Sequence, residues 1–187
     1  MRKLIVTEFV SLDGVMEAPG GEPGYAHSGW VAPLFTPELA EYKQAEQLAA
    51  DVLLLGRRTY ESFAGAWPQR DGEMADKLNT MTKYVASTTL TSADWPPTTI
   101  IDADVPARVA ELKAADGGPI LVAGSRSLVH TLLDEGLVDE INLQVFPLVL
   151  GSGARVYPET ETPVTLELVS SEALPNGVQT QTYRVLR

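Results

Sequence analysis

The run Gly56-Arg57-Arg58-Thr59-Tyr60 gathers a glycine, two guanidiniums and a hydroxyl where an apolar segment gives way to a helical one. A helix start offers unpaired N–H groups and the positive end of the peptide dipoles, and arginine has the fork that matches phosphate. Those residue types support anion binding; the plainer alternative is a glycine turn flanked by two solvated arginines. A second run, Ala123-Gly124-Ser125-Arg126-Ser127, repeats the arrangement after another apolar segment. Gly124 would let a ligand approach the backbone, and Ser125 and Ser127 would either touch phosphate or simply cap the helix. Ser87-Thr88 closes a third apolar segment with small polar side chains. Three such strand ends converging is what a ligand crevice in an open α/β sheet requires.

Period and punctuation predict the elements that must position these groups. Residues 4–10 are a short, mostly apolar run stopped by Asp13-Gly14, a buried strand entering a turn. Residues 17–36 are rich in glycine and proline, a long loop of the kind that in compact domains is often functional. Thr36-Pro37 opens a helix expected to reach about Ala50, with Leu39, Tyr42, Ala45 and Ala49 inward and Glu41, Lys43, Gln44 and Gln47 outward. Strands are predicted at 52–55, 83–87, 98–102 and 119–123. Helices are predicted from near Thr59, over 73–81, after Asp104, and from Ser125 to a stop at Gly136. That β-α alternation implies a largely parallel sheet. From Ile141 the pattern changes to period two: Ile141, Leu143 and Val145, then Val164, Leu166 and Leu168, then residues 178–186 after the Pro175-Asn176-Gly177 turn. These read as antiparallel strands.

Composition bounds the rest. A chain of 187 residues, 44% hydrophobic and without an internal repeat or linker, predicts a single domain over 1–187. Its apolar stretches fall far short of the ~20 residues of a membrane span, and Glu8 interrupts the first of them. No membrane association is expected, and a cytoplasmic location is. The chain has no cysteine, so no disulfide framework, thiolate nucleophile or Cys-based zinc site can form, and His27 and His130 lack metal-type spacing. No metal is expected. A net charge of -11 with only 14 Lys+Arg argues against nucleic acid. A phosphorylated ligand would therefore need the few arginines concentrated around it. There is no P-loop and no G-x-S-x-G elbow. Gly151-Ser152-Gly153 begins like a dinucleotide fingerprint, but Val156 stands where a third glycine is wanted and Pro158 follows, so no helix opens there.

Five motifs in order carry a family resemblance. They are Ser11-Leu12-Asp13-Gly14, Gly56-Arg57-Arg58-Thr59-Tyr60, Tyr84-Val85-Ala86-Ser87, Val122-Ala123-Gly124-Ser125, and Val138-Asp139-Glu140-Ile141 continuing to Pro147-Leu148-Val149-Leu150-Gly151-Ser152-Gly153. Over nearly the whole chain this resembles the dihydrofolate-reductase-like superfamily. Within it, the match is to the reductase domain of the bifunctional riboflavin-biosynthesis deaminase-reductases and their small single-domain relatives. The resemblance implies a three-layer α/β fold, with a mostly parallel central sheet, antiparallel C-terminal strands and helices on both faces. It implies NADPH, with Gly56, Arg57, Arg58 and Thr59 at the cofactor phosphates and Ser87 and Thr88 near the adenosine 2′-phosphate. Ala123 and the helix start Gly124, Ser125, Arg126, Ser127 and Leu128 would hold the diphosphate. The nicotinamide and substrate would lie near Asp13 and the loop containing Trp30, with Gly151 and Gly153 passing close to the same pocket.

Two departures leave the substrate open. The Asp-Asp-Pro segment of riboflavin reductases is replaced by Gly-Arg-Arg-Thr-Tyr, and the helix carboxylate of dihydrofolate reductases has only Glu38 or Glu41 to offer. The expectation is an NADPH-dependent reductase of a small pterin, pyrimidine or other heterocyclic substrate, with Asp13 meeting the proton demand. The alternative for Asp13 is a plain Asp-Gly turn. The alternative for the protein is a non-catalytic nucleotide-binding protein using the same crevice. A homodimer is expected because Ile141, Leu143 and Val145 fill a sheet face that needs cover, and the resemblance points the same way.

Overall fold

A computed structural model describes residues 1–157, 159 and 163–186. Eight strands form one sheet: β1 (Leu4–Ser11), β2 (Val52–Gly56), β3 (Thr82–Ala86), β4 (Thr98–Ile101), β5 (Ile120–Ala123), β6 (Glu140–Phe146), β7 (Leu166–Ala173) and β8 (Gln179–Val185). Their order is β4-β3-β2-β5-β1-β6-β8-β7. Five helices accompany them: α1 (Pro37–Ala49), α2 (Arg57–Ala66), α3 (Glu73–Thr80), α4 (Val105–Ala114) and α5 (Arg126–Asp134). All five residues of β2 and all four of β5 are buried, the continuous apolar run of a strand covered on both faces. Leu54, Ile120 and Val122 pack with Val109 of α4 and Val129 and Leu132 of α5. Leu53, Leu55 and Leu121 pack on the opposite face with Tyr60, Leu78 and Trp95. Alternate residues of one strand thus belong to different cores.

Caps explain several boundaries. Asp104 accepts the Ala107 N–H at 3.3 Å and starts α4. Gly136, at φ 62°, ends the α5 segment in the left-handed conformation that glycine tolerates. Lys83 is fully buried, and its ammonium donates to the Leu78 and Met81 carbonyls, both at 2.9 Å, and to that of Asn79 at 3.3 Å. It closes the C-terminal end of α3 and lies 4.5 Å from the centre of the Trp95 ring. No described helix is long and apolar enough to cross a membrane.

Three expectations change. β6 is antiparallel to β8 but parallel to β1, so the reversal of direction begins one strand later than the period-two pattern suggests. β6 is also internal: Ile141 and Leu143 are buried in this chain's own core and need no second copy to cover them. Exposed apolar side chains are found instead on β7, which among the described residues pairs with β8 alone and leaves Leu168 55% and Val169 49% exposed, as well as at Leu12 and Val149 beyond the ends of β1 and β6. Finally, α1 departs in part from its predicted orientation: Leu39 is buried and Glu41 exposed as expected, but the following turns differ. Ala45 and Ala49 are exposed while Lys43 and Gln47 are buried. Thr7, Asn142 and Gln144 explain this, because they give β1 and β6 a polar face that the polar side of α1 must meet. Lys43 donates to Thr7 Oγ1 at 2.7 Å and to the Glu46 carboxylate, and Glu46 also accepts from Thr7 at 2.8 Å and Asn142 at 2.9 Å. A buried ion pair persists only with its remaining hydrogen bonds made, and here they are.

The sheet has one seam. β1 pairs with β5 from Leu4↔Ile120 to Thr7↔Ala123 and no further, yet it stays paired with β6 as far as Ser11↔Phe146. From Glu8 onward the β5 side of β1 is open.

Candidate functional site

That seam opens into a cleft of about 1570 Å³, walled by the C-terminal ends of β1, β2, β3 and β5 and by α1, α2 and α5. On one side a compact knot ties two helix starts together. Ser125 Oγ accepts the Gly56 N–H at 2.8 Å and lies 2.8 Å from Thr59 Oγ1. A Cβ on Gly56 would come within 2.5 Å of Ser125, and one on Gly124 within 2.9 Å of Thr59 Oγ1, so both positions need glycine for close approach. Gly124 (φ 68°) and Ser125 (φ 72°) are both left-handed. For a serine that conformation is unfavourable, and such strain concentrates at functional sites. Ser125 spends its hydroxyl on this knot and makes no side-chain cap bond to α5; Gly56 cannot cap α2. Among the described residues, the first-turn N–H groups of both helices thus receive no bond from their N-cap side chains beside the cleft.

Charge gathers there. Lys43, Arg57, Arg58, Arg70 and Arg126 line the cleft, five of the chain's 14 Lys+Arg, against Glu8, Glu17, Glu22 and Asp104. A chain with net charge -11 presents a near-neutral to cationic cleft. Arg57 is held by Glu61 at 3.0 Å, one helical turn on, whereas Arg58 has no ion pair among the described residues. At the end of β3, Ser87 Oγ accepts the N–H groups of Thr89 at 3.2 Å and Leu90 at 2.9 Å, shaping a polar turn at the rim.

The opposite wall is β1, where Thr7 and Phe9 meet α1, whose Ala40, Lys43, Gln44 and Gln47 share one helical face. Glu8 points to the alternate side, toward the Gly124 N–H. Glu8 is only 5% exposed, and its Oε1 is buried without a hydrogen-bond partner among the described residues, as is Gln47 Oε1. Burial pushes the Glu8 carboxyl up to about 8, outweighing the Lys43 ammonium and the Gly124 N–H, which favour ionisation. Glu46 adds a smaller upward push.

Most of the residues singled out in the sequence meet in this one cleft: Gly56, Arg57, Arg58, Thr59, Ser87, Thr88, Ala123 to Leu128, and Gly153. Asp13, Trp30 and Gly151 are not in its lining. The Asp13 carboxylate accepts from Ser11 Oγ at 2.7 Å and from the N–H groups of Leu150 at 3.1 Å and Gly151 at 2.9 Å. The Ser11 bond foremost, then these amides, hold it down to about 2, so it has no proton to give near neutrality. Asp13 and Gly151 together form a braced turn. Trp30 is buried against Phe146, ring centres 5.2 Å apart, and its Nε1 donates to the Glu17 carbonyl at 2.8 Å. It anchors the loop from beneath. Glu8, Lys43, Gln47 and Arg70 are lining residues that sequence reasoning passed over. The one signal for the first of them was a carboxylate interrupting an otherwise apolar strand.

A family model described as the RibD C-terminal domain matches residues 2–180. The uncharacterized protein YyaP of Bacillus subtilis (strain 168) is 27% identical over 182 residues, covering 95% of this chain and 92% of that one. Among solved structures, a Shewanella sp. PV-4 protein provisionally described as one of riboflavin biosynthesis superimposes with a TM-score of 0.78 at 22% identity, over 99% of both chains. Dihydrofolate reductase from Enterococcus faecalis, complexed with NADP(H), gives 0.63 at 16% identity over 99% of this chain and 97% of that one. The fold is thus dihydrofolate-reductase-like.

Proposed function

The chain belongs to the RibD C-terminal domain family, whose function is of the reductase type, and from that premise we propose that it is an NADPH-dependent reductase of a small heterocyclic molecule. The observation that carries the cofactor is the paired helix starts, knotted at Ser125 and opening without side-chain caps onto a cleft holding five of the chain's cations. The residues present fit a dinucleotide with an extra phosphate. Arg57, Arg58, Thr59 and the first turn of α5 would hold the phosphates by charge-assisted bonds and backbone N–H groups. Ser87 and Thr88 would meet the adenosine end. When bound, NADPH supplies a hydride. The chain's own part is to fix the substrate on the wall made by β1 and α1, and to keep bulk water from the seam with the loop pinned by Trp30. Tyr25 helps pin that loop, its hydroxyl donating to the Ser152 carbonyl at 2.6 Å.

Fluorescence titration with the two nicotinamide cofactors tests the reading. NADPH is expected to bind more tightly than NADH, and Arg58→Ala to lose about 1.5–3 kcal/mol of NADPH affinity, the worth of one charge-assisted bond. Equal affinity for both cofactors, or none for either, would refute it.

A further inference from the structure

We propose that Glu8 is the proton donor of this cleft, its carboxyl touching the bound substrate and protonating the heteroatom of the double bond being reduced, a role that rests on the reductase reading above. Glu8 is the first residue of β1 beyond the last β5 pair, Thr7↔Ala123, so it stands where the sheet opens. Its Oε1 is buried and partnerless although the residue lines the cleft, which leaves that atom for something other than the protein. The charged groups acting on it are Lys43 and Glu46, both from α1; the β5 and α5 side contributes only the Gly124 N–H.

The other acids of the lining are committed elsewhere. Glu17 accepts the Ala154 N–H at 2.7 Å, Glu22 the Gly20 N–H at 3.0 Å, and Asp104 caps α4. A carboxyl with a value near 8 is mostly protonated at neutral pH and close to the optimum for handing over a proton there. In the step, the Glu8 O–H bond breaks and an N–H or O–H bond forms on the substrate. The neighbouring carbon gains a C–H bond from the nicotinamide hydride as the C=N or C=O π bond is lost, and NADPH is oxidised to NADP⁺. The carboxylate left behind faces the Lys43 ammonium and the Gly124 N–H and recovers its proton from water when product leaves.

Two measurements decide. Carbon-13 NMR of protein labelled at glutamate Cδ, with the Glu8 signal identified by its loss in Glu8→Gln, should show that carboxyl still protonated at pH 7. NADPH oxidation over a panel of pterins, pyrimidines and quinones should fall about 100-fold or more in Glu8→Gln, with NADPH affinity unchanged within twofold. The wild-type rate should decline as pH rises through the Glu8 value. In Lys43→Met that decline should move to higher pH, because the ammonium favouring ionisation is gone; a merely structural role would not shift the profile. A Glu8 ionised at pH 7, or a Glu8→Gln rate within threefold of wild type, overturns the proposal while leaving the reductase reading standing. Wild-type protein that binds no NADPH, or reduces no panel member, overturns both.

Discussion

Replacing Gly124 by alanine probes the knot between the two helix starts. The residue sits at φ 68°, where a side chain costs about 1 kcal/mol or somewhat more. Its new Cβ would lie 2.9 Å from Thr59 Oγ1 and 3.2 Å from Thr59 Cγ2, so Thr59 must rotate away. Rotation breaks the 2.8 Å contact between Thr59 Oγ1 and Ser125 Oγ, worth about 1 kcal/mol. Gly124→Ala should therefore cost about 2–3 kcal/mol, and Thr59→Ala about 1 kcal/mol, in urea unfolding. In the double variant the clash is absent and the lost hydrogen bond is counted once. Its cost should fall short of the sum of the single costs by about 1 kcal/mol, a coupling of the size seen between residues in contact. Strict additivity within about 0.5 kcal/mol would show that Gly124 and Thr59 do not share this contact and would refute the reasoning.

Lys83→Met should lower stability by about 2–3 kcal/mol near neutrality, because three buried carbonyls at the end of α3 lose a charged donor; urea titration checks it. Burial holds Lys83 down to about 8, below its ordinary 10.5. Between those values the unfolded chain binds more protons, so wild-type stability should gain with rising pH a contribution that Lys83→Met lacks. Asp13→Asn should lower the urea midpoint and leave NADPH affinity unchanged within twofold, since the carboxylate braces a turn outside the cleft. Its contribution is present above the ordinary 3.8 and is lost as pH falls toward about 2. A homodimer joined through β7 should scatter light at twice the 20.2 kDa of one chain, and Val169→Glu should return it to one. A wild-type mass of one chain at micromolar concentration would mean that the exposed apolar residues of β7 stay uncovered.

The parts of the fold readable in the sequence were those whose signals are local. β2 and β5 are short apolar runs ending at glycine, so Gly56 and Gly124 mark the strand-to-helix turns directly, and Arg57 to Thr59 follow by adjacency. What could not be read was polar burial. Lys43 and Gln47 look like the outer face of α1 because polar residues are usually outside. Only the tertiary meeting with Thr7, Asn142 and Gln144 reverses that expectation. Glu8 was hidden for the same reason. In the sequence, a strand end places Asp13 beside the site, and the family resemblance alone places Trp30 there. In the structure, the cleft begins earlier along β1, at the point where β5 stops pairing. Violations of the inside-outside pattern can mark functional sites, and Glu8, Lys43 and Gln47 fall on the wall opposite the helix starts, whereas buried Lys83 closes the end of α3.

A crystal structure of the protein with bound NADPH tests the central claim most directly. The phosphates should lie against the first turns of α2 and α5 on either side of Ser125, with the adenosine end at Ser87 and Thr88 and the nicotinamide beside the β1 seam at Glu8. Saturating NADPH that leaves the cleft without cofactor density, or binds away from those two helix starts, would contradict it.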